Sequence, residues 1–334
     1  MVTLVRAGQP GHGRGHGDNG SEHVRTLTGT AVLAAAAVAL TGCGNVSFGG
    51  TRHEDRSYTA PAGVTALKIK TTGSRVEVTA SDSPGIKVEE RLRWSNDKNK
   101  PRAKHSVEDD TLSLTAKCGT QAIGIASSCG VSYRVRVPRS MPVQIDNRDG
   151  AVVASGLAGA VKLHSDNGSI TATDLRASTA SLSSADGALR VSGRVTTADL
   201  RSDNGSVDAT GLTADKLTAR SRDGRISLGG KITTVEVHTD NGGITATGLA
   251  ADRITARTRD GGIDLRLSTP PANIDANTDN GSVRLRLPAE PAYAISASTD
   301  NGRKLIDAAI HQDSRSERRI KLTTRDGGIS VSPN

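Results

Sequence analysis

Carboxylates are the groups of this chain most capable of chemistry, and they come at a fixed spacing. Ten short phrases ending in glycine carry them: Arg148-Asp149-Gly150, Asp166-Asn167-Gly168, Ala185-Asp186-Gly187, Asp203-Asn204-Gly205, Arg222-Asp223-Gly224, Asp240-Asn241-Gly242, Arg259-Asp260-Gly261, Asp279-Asn280-Gly281, Asp300-Asn301-Gly302 and Arg325-Asp326-Gly327. A column of aspartates can hold calcium, as in nonapeptide-repeat solenoids. It can also be a structural corner. Stacked coils lie about 4.8 Å apart, where like charges repel by roughly 1 kcal/mol even in water. Before the glycine Asp mostly alternates with Asn, and one position earlier Asp mostly alternates with Arg or Ala, so each carboxylate gains a hydrogen-bonding neighbour. Interleaved Arg suits a hard cation poorly. The corners are therefore read as a neutralised ladder. One place breaks the alternation: Asp279-Asn280 is followed by Asp300-Asn301 with no Arg phrase between them, which makes Asp279 and Asp300 the candidate metal pair.

Sugar cleavage would need two carboxylates roughly 5–9 Å apart. A catalytic pair should be an exception to the repeat, whereas these recur in every coil. Trp94 is the single Trp, beside one Phe and three Tyr, so platforms for sugar stacking are nearly absent. His53, His105, His164, His238 and His311 are scattered, with His164 and His238 at equivalent surface places before their corners. No lipase-type Gly-x-Ser-x-Gly in a strand-to-helix setting, phosphate loop or zinc signature is present. Thr171 and Thr245 suggest a threonine array, but Arg190, Asp208, Asp264 and Arg284 interrupt it. The expectation is a non-catalytic protein without a cofactor, with a polysaccharide-acting enzyme as the weaker alternative.

The glycine phrases fix the elements. The first seven glycines are 18 or 19 residues apart in alternation, and later gaps widen to 20, 21 and 25. So short a period signals a solenoid whose units bury their apolar faces only by stacking. Within one unit, Gly242 to Leu249 alternates apolar and polar residues, as does Arg253 to Thr258, giving two short strands and two turns per coil. Asn-Gly and Asp-Gly are expected to supply positive φ at the corners. Two past the glycine stand Ile170, Leu189, Val207, Ile226, Ile244, Ile263, Val283 and Ile329; four past it stand Ala172, Val191, Ala209, Leu228, Ala246, Leu265, Leu285 and Val331. These columns predict a thin aliphatic core. The fold expected is all-β: a single-stranded parallel β-solenoid (β-helix) with coils of 18–19 residues and an irregular β N-terminal cap.

The amino terminus reads as an export address. Thr26 to Leu40 is an Ala/Val/Leu-rich run too short to span a bilayer comfortably, ending in Leu40-Thr41-Gly42-Cys43. That ending resembles the bacterial lipobox, which implies lipid modification of Cys43, removal of residues 1–42 and a place on the extracytoplasmic face of the cell membrane. Residues 1–23, rich in Gly and His, are read as sequence upstream of the true start. The formal charge of +8 falls to +7 without the leader, pointing to phospholipid headgroups or wall polymers rather than nucleic acid. Arg is spread along the repeats, which argues against a single basic patch. Cys118 and Cys129 remain, an even pair in an oxidising compartment, and are expected to form a disulfide. A zinc site would need two further ligands, and His105 alone does not suffice.

Residues 43–56 read as a flexible tether, 57–145 as the irregular start of the solenoid, and 146–334 as the regular repeats with a C-terminal cover, for which Arg303 to Arg319 is the candidate, as a loop or a short helix. The lipobox, the strands opening near Gly73 and the train of Asp-Asn-Gly and Arg-Asp-Gly coils resemble the bacterial "putative adhesin" β-solenoid family of unknown function, over about residues 57–334. The resemblance implies a surface lipoprotein and supplies no catalytic residues. Because some relatives sit beside envelope-stress sensors, it also implies a possible signalling role. The partner expected is an envelope polymer or a membrane protein.

Overall fold

The structure, a computed structural model, describes residues 51–118 and 129–334. Cys43, residues 1–42 and most of the tether lie outside the described residues. Twenty-four strands and one 3-10 turn (Asp97–Asn99) are present, with no α-helix among the described residues. In chain order the N-terminal strands are β1 (Arg52–Thr59), β2 (Ala66–Thr71), β3 (Val76–Ser81), β4 (Lys87–Trp94), β5 (Arg102–Glu108), β6 (Thr111–Lys117) and β7 (Cys129–Pro138). The coils follow: β8 (Val143–Asn147), β9 (Val152–Ser155), β10 (Val161–Ser165), β11 (Ile170–Leu175), β12 (Thr179–Ser184), β13 (Leu189–Ser202), β14 (Val207–Ser221), β15 (Ile226–Thr239), β16 (Ile244–Leu249), β17 (Arg253–Thr258), β18 (Ile263–Leu267), β19 (Asn273–Asn280) and β20 (Val283–Leu287). The C-terminal strands are β21 (Ala294–Asn301), β22 (Lys304–Ile306), β23 (Arg319–Asp326) and β24 (Ile329–Pro333).

Each coil lays one strand in each of two walls. Wall A, after the glycine, runs β1–β4–β7–β3–β9–β11–β13–β14–β15–β16–β18–β20–β24–β22. Wall B, before the next corner, runs β5–β6–β2–β8–β10–β12–β13–β14–β15–β17–β19–β23–β21. In β13, β14 and β15 the chain passes from one wall to the other through a third paired stretch, where Gly193, Leu212 and Gly230 align. The sheet is mixed rather than purely parallel: β1–β4, β4–β7 and β5–β6 are antiparallel hairpin-like pairs at the N-terminal end. The regular coils pair in parallel and the antiparallel pairs are confined to the cap, because only stacked repeats require parallel register and the cap is not a repeat.

The core follows the sequence columns. Ile170 through Ile329 and Ala172 through Val331 are buried, opposed by Ala198, Leu217, Val235, Ile254 and Ile274 of wall B. Buried hydroxyls line one corner: Ser184 Oγ accepts from Gly187 N at 2.9 Å and donates to Gly168 O at 3.1 Å, Ser202, Ser221 and Thr239 repeat the pattern, and Thr258 donates to Gly242 O at 2.9 Å. Each coil thereby satisfies a carbonyl of the coil before it.

Three expectations need correction. The corner glycines after Gly150 are not in the positive-φ region; a Cβ on Gly224 would lie 2.0 Å from Gly205 O, so glycine is required there by close stacking. The flexible tether is shorter than expected, since β1 already begins at Arg52, paired with β4. The segment Arg303 to Arg319 holds no helix; it contains β22 and a turn-rich stretch. Both ends instead share one device. Chain-terminal strands β23 and β24 insert between earlier coils, and β2 and β3 are likewise inserted, leaving β21–β22 and β1, β5 as the outer strands. Of those outer strands β22 is short and β1 and β5 are heavily charged, which discourages edge-to-edge pairing.

Candidate interaction surfaces

Among the described residues, all the corner carboxylates but Asp300 are engaged by the protein itself. Asn167 donates to Asp149 at 2.5 Å, Asn204 to Asp186 at 2.5 Å, Asn280 to Asp260 at 2.6 Å and Asn301 to Asp326 at 2.8 Å, with Asn241 bonded likewise to Asp223. Asp203 and Asp240 lie between arginines, with Arg222 at 3.8 Å and Arg259 at 3.5 Å. The premise of the candidate metal pair fails. Because β23 inserts between β19 and β21, Arg325-Asp326-Gly327 separates the two corners, and Arg325 stands 3.7 Å from Asp279. Asp279 and Asp300 are not neighbours.

Register also brings together residues that are dispersed in sequence. On the outer face of wall B, His164, Ser183, Arg201, Arg220, His238 and Arg257 occupy one column of directly paired positions. Four successive coils therefore place Arg201, Arg220, His238 and Arg257 side by side at strand spacing, about 4.8 Å. Arg201 has Asp203 at 3.9 Å, His238 has Asp240 at 3.3 Å and Arg257 bonds Asp275 at 3.2 Å. Arg220, between Arg201 and His238, has no ion pair among the described residues. The signal was present in the sequence as intervals of 19, 18 and 19 between these residues, one coil each. Charge counted along the chain missed it; charge counted modulo the repeat finds it.

The N-terminal cap holds the second concentration of polar groups. Glu90 is 4% exposed, accepts from Tyr58 Oη at 2.9 Å and is held above the usual carboxylate range chiefly by burial. Tyr58 stacks on His105 with centroids 4.6 Å apart, and burial raises the phenols of Tyr58 and Tyr133. Lys100 bonds Glu54 at 2.7 Å and lies 4.9 Å from the Trp94 ring centre. Lys100 and then Arg56 hold Glu54 low. On the outer face of the cap an open cavity of about 450 Å³ is bounded by Arg75, Arg91, Arg93, Arg134, Glu77 and Glu89. Its carboxylates are matched: Arg91 takes Asp55 at 2.8 Å, and Arg134 reaches Glu77 at 4.0 Å and Glu89 at 3.8 Å. Cys118 and Cys129 are bonded to each other, with Cα atoms 5.9 Å apart.

A model of one family, Toastrack DUF4097, matches residues 64–231 and again 228–332. The chain belongs to the Toastrack DUF4097 family. Solved structures resemble this member as well. A protein of Parabacteroides distasonis described as a "putative adhesin" shares 14% identity over 85% of this chain and 98% of its own, with a TM-score of 0.49. A "putative lipid binding protein" of the same organism shares 13% over 86% and 98% (TM-score 0.45), and a "putative adhesin" of Bacteroides fragilis 14% over 85% and 97% (TM-score 0.39). No curated protein matches it. Among the described residues, no helix is long and apolar enough to cross a membrane.

Proposed function

We propose that this Toastrack DUF4097 protein is a non-catalytic surface lipoprotein, anchored through Cys43 to the extracytoplasmic face of the cell membrane, that presents wall B to an anionic polymer of the envelope as an adhesin or scaffold. The column Arg201–Arg220–His238–Arg257 carries the reading. Arg201 and Arg220 are directly paired and repel by roughly 1 kcal/mol even in water. The fold tolerates this pair without matching Arg220, and a chain of phosphates laid along the column would relieve that repulsion. Guanidinium groups suit phosphate because their donors form a planar fork. The lipobox favours the same setting.

The test uses the full chain and cell-wall sacculi, either carrying their anionic polymers or stripped of them. The native protein is expected to bind the former and not the latter. The variant Arg201→Ser/Arg220→Ser/Arg257→Ser is expected to lose about tenfold or more in affinity together with most of the salt dependence. Equal binding to stripped sacculi, or an unchanged triple variant, would overturn the wall-B reading. Capture in intact cells of one membrane protein from probes on the cap alone would favour the signalling alternative.

A further inference from the structure

We infer that a basic corner of the N-terminal cap, formed by Lys98, Arg102 and Lys117, docks on the anionic phospholipid surface of the membrane to which the chain is tethered. The inference rests on the lipid anchor of the preceding section but not on the wall-B polymer. It starts from where charge falls on the β5–β6 hairpin. Arg102 pairs directly with Lys117 at one end, whereas Glu108, Asp109 and Asp110 gather at the turn, six residues away. At strand rise that is about 20 Å, so the hairpin is basic at one end and acidic at the other.

Neighbouring elements add to the basic end. The 3-10 turn contributes Lys98 beside Asp97, and an open cavity of about 570 Å³ is bounded by Asp97, Lys98, Lys100, Arg102 and Lys117. Two of the charges around it are matched internally, since Asp97 bonds Arg52 and Lys100 bonds Glu54. Lys98, Arg102 and Lys117 are exposed and have no ion pair among the described residues. Edge protection accounts for charge on outer strand β5, but it is served by either sign. It does not explain why three unmatched charges from three elements share one sign and one corner.

The tether decides what lies opposite. Arg52 is the first residue of β1 and touches Asp97 in this same corner. Cys43 precedes it by nine residues, a reach of at most ~30 Å when fully extended. Once anchored, the corner is confined within that distance of the headgroups. A cationic cluster so placed adds a second, electrostatic attachment to the acyl chains, about fivefold in affinity per Lys or Arg near an anionic surface. Two attachments at one corner fix the orientation of the solenoid, leaving the outer face of wall B free.

The test separates headgroup binding from acyl insertion by using the mature chain, residues 43–334, with Cys43→Ser. Binding is measured to vesicles of phosphatidylcholine alone and to vesicles with roughly a third phosphatidylglycerol. The expected result is binding to the anionic vesicles only, weakened by added salt. The further changes Lys98→Glu/Arg102→Glu/Lys117→Glu should reduce it by roughly a hundredfold or more. Arg220→Glu on wall B serves as control and should leave most of the binding intact. The three corresponding Gln substitutions give a second variant whose reduced binding does not depend on tolerating reversed charge. Equal binding to both vesicle types would overturn the inference, as would full binding by the triple variants. Retention on polymer-bearing sacculi through these three residues, without vesicle binding, would assign the corner to polymer instead. Anchoring is read independently, by whether the mature protein isolated from cells begins at Cys43 and carries a diacylglyceryl group on it.

Discussion

In the regular coils the buried polar side chains are hydroxyls that every neighbouring coil satisfies; in the N-terminal cap one is a carboxylate. Ser184, Ser202, Ser221 and Thr239 each join a glycine N–H of their own coil to a glycine carbonyl of the coil before, and Thr258 donates to Gly242 O. In the cap and its adjoining coils, by contrast, Glu90 is buried with Tyr58 as its partner, while Tyr133 Oη, Thr71 Oγ1 and Asn147 Oδ1 are buried without one among the described residues. A repeat solves a hydrogen-bonding problem once and copies the answer. The cap has no identical neighbour, so its polar groups must be matched singly, at the cost attached to any incompletely paired buried group.

The sharpest way to break this comparison is at the glycines. In Gly224→Ala the new Cβ would lie 2.0 Å from Gly205 O, a backbone atom held by stacking on both sides. In Gly85→Ala, in the cap, the backbone has φ +105° but nothing lies within 4 Å of the new atom. Urea unfolding should show a loss of about 3 kcal/mol or more for Gly224→Ala, and about 1 kcal/mol for Gly85→Ala from its left-handed backbone alone. Equal losses at the two sites would mean that the coils can slide apart to admit a methyl group, and that stacking is not what demands the glycine.

A smaller effect is expected at the corner ladder. Asn241→Ala removes the amide that bonds Asp223 in the previous coil. Because both groups are exposed, the loss should be about 0.5–1 kcal/mol in urea. Calcium should not restore it if the corner is a hydrogen-bonded ladder. Recovery on adding calcium would show that the Asp column can act as a cation site once Asn is gone.

The regular coils were legible in the sequence because each carries its own evidence. The aliphatic columns from Ile170 to Ile329, and the Asp and Asn before each glycine, fix both the period and the inward face. The reason for the glycines was misread, since Asp-Gly and Asn-Gly signal positive φ locally and only the stacked neighbour reveals Gly205 O beside Gly224. The insertion of β23 between β19 and β21 was hidden for a related reason. Sequence order equals spatial order inside a repeat, but nothing local to Asp279 or Asp300 says which coil is next in space. The basic column of wall B lay between these cases: its intervals were in the chain, and pairing was needed to show that Arg201, Arg220, His238 and Arg257 touch one line.

The finest test of the comparison is a pH profile of the cap. Glu90 faces Tyr58, Arg56 and Glu54 of β1, His105 of β5 and Tyr133 of β7; burial raises its carboxyl, partly opposed by the Tyr58 hydrogen bond and by Arg56 and His105. A raised carboxyl binds its proton more tightly folded than unfolded. Its contribution is fully present below the ordinary Glu range and is lost as pH rises through the folded value. Glu54 and Asp55, held low by Lys100 and Arg91 respectively, act in the opposite sense, contributing above the ordinary range and losing that contribution as pH falls. Glu90→Gln keeps an acceptor for Tyr58 but removes the proton, so the variant and native melting temperatures should nearly coincide at pH 4 and diverge in favour of the variant toward pH 8, most plainly as a change of slope rather than of absolute stability. A pH-independent difference would mean that Glu90 is not buried as an ionisable group, and a variant that becomes less stable than the native protein as pH rises would mean that its charge is stabilised by Arg56 and His105. In either case the cap would be as well matched as the coils.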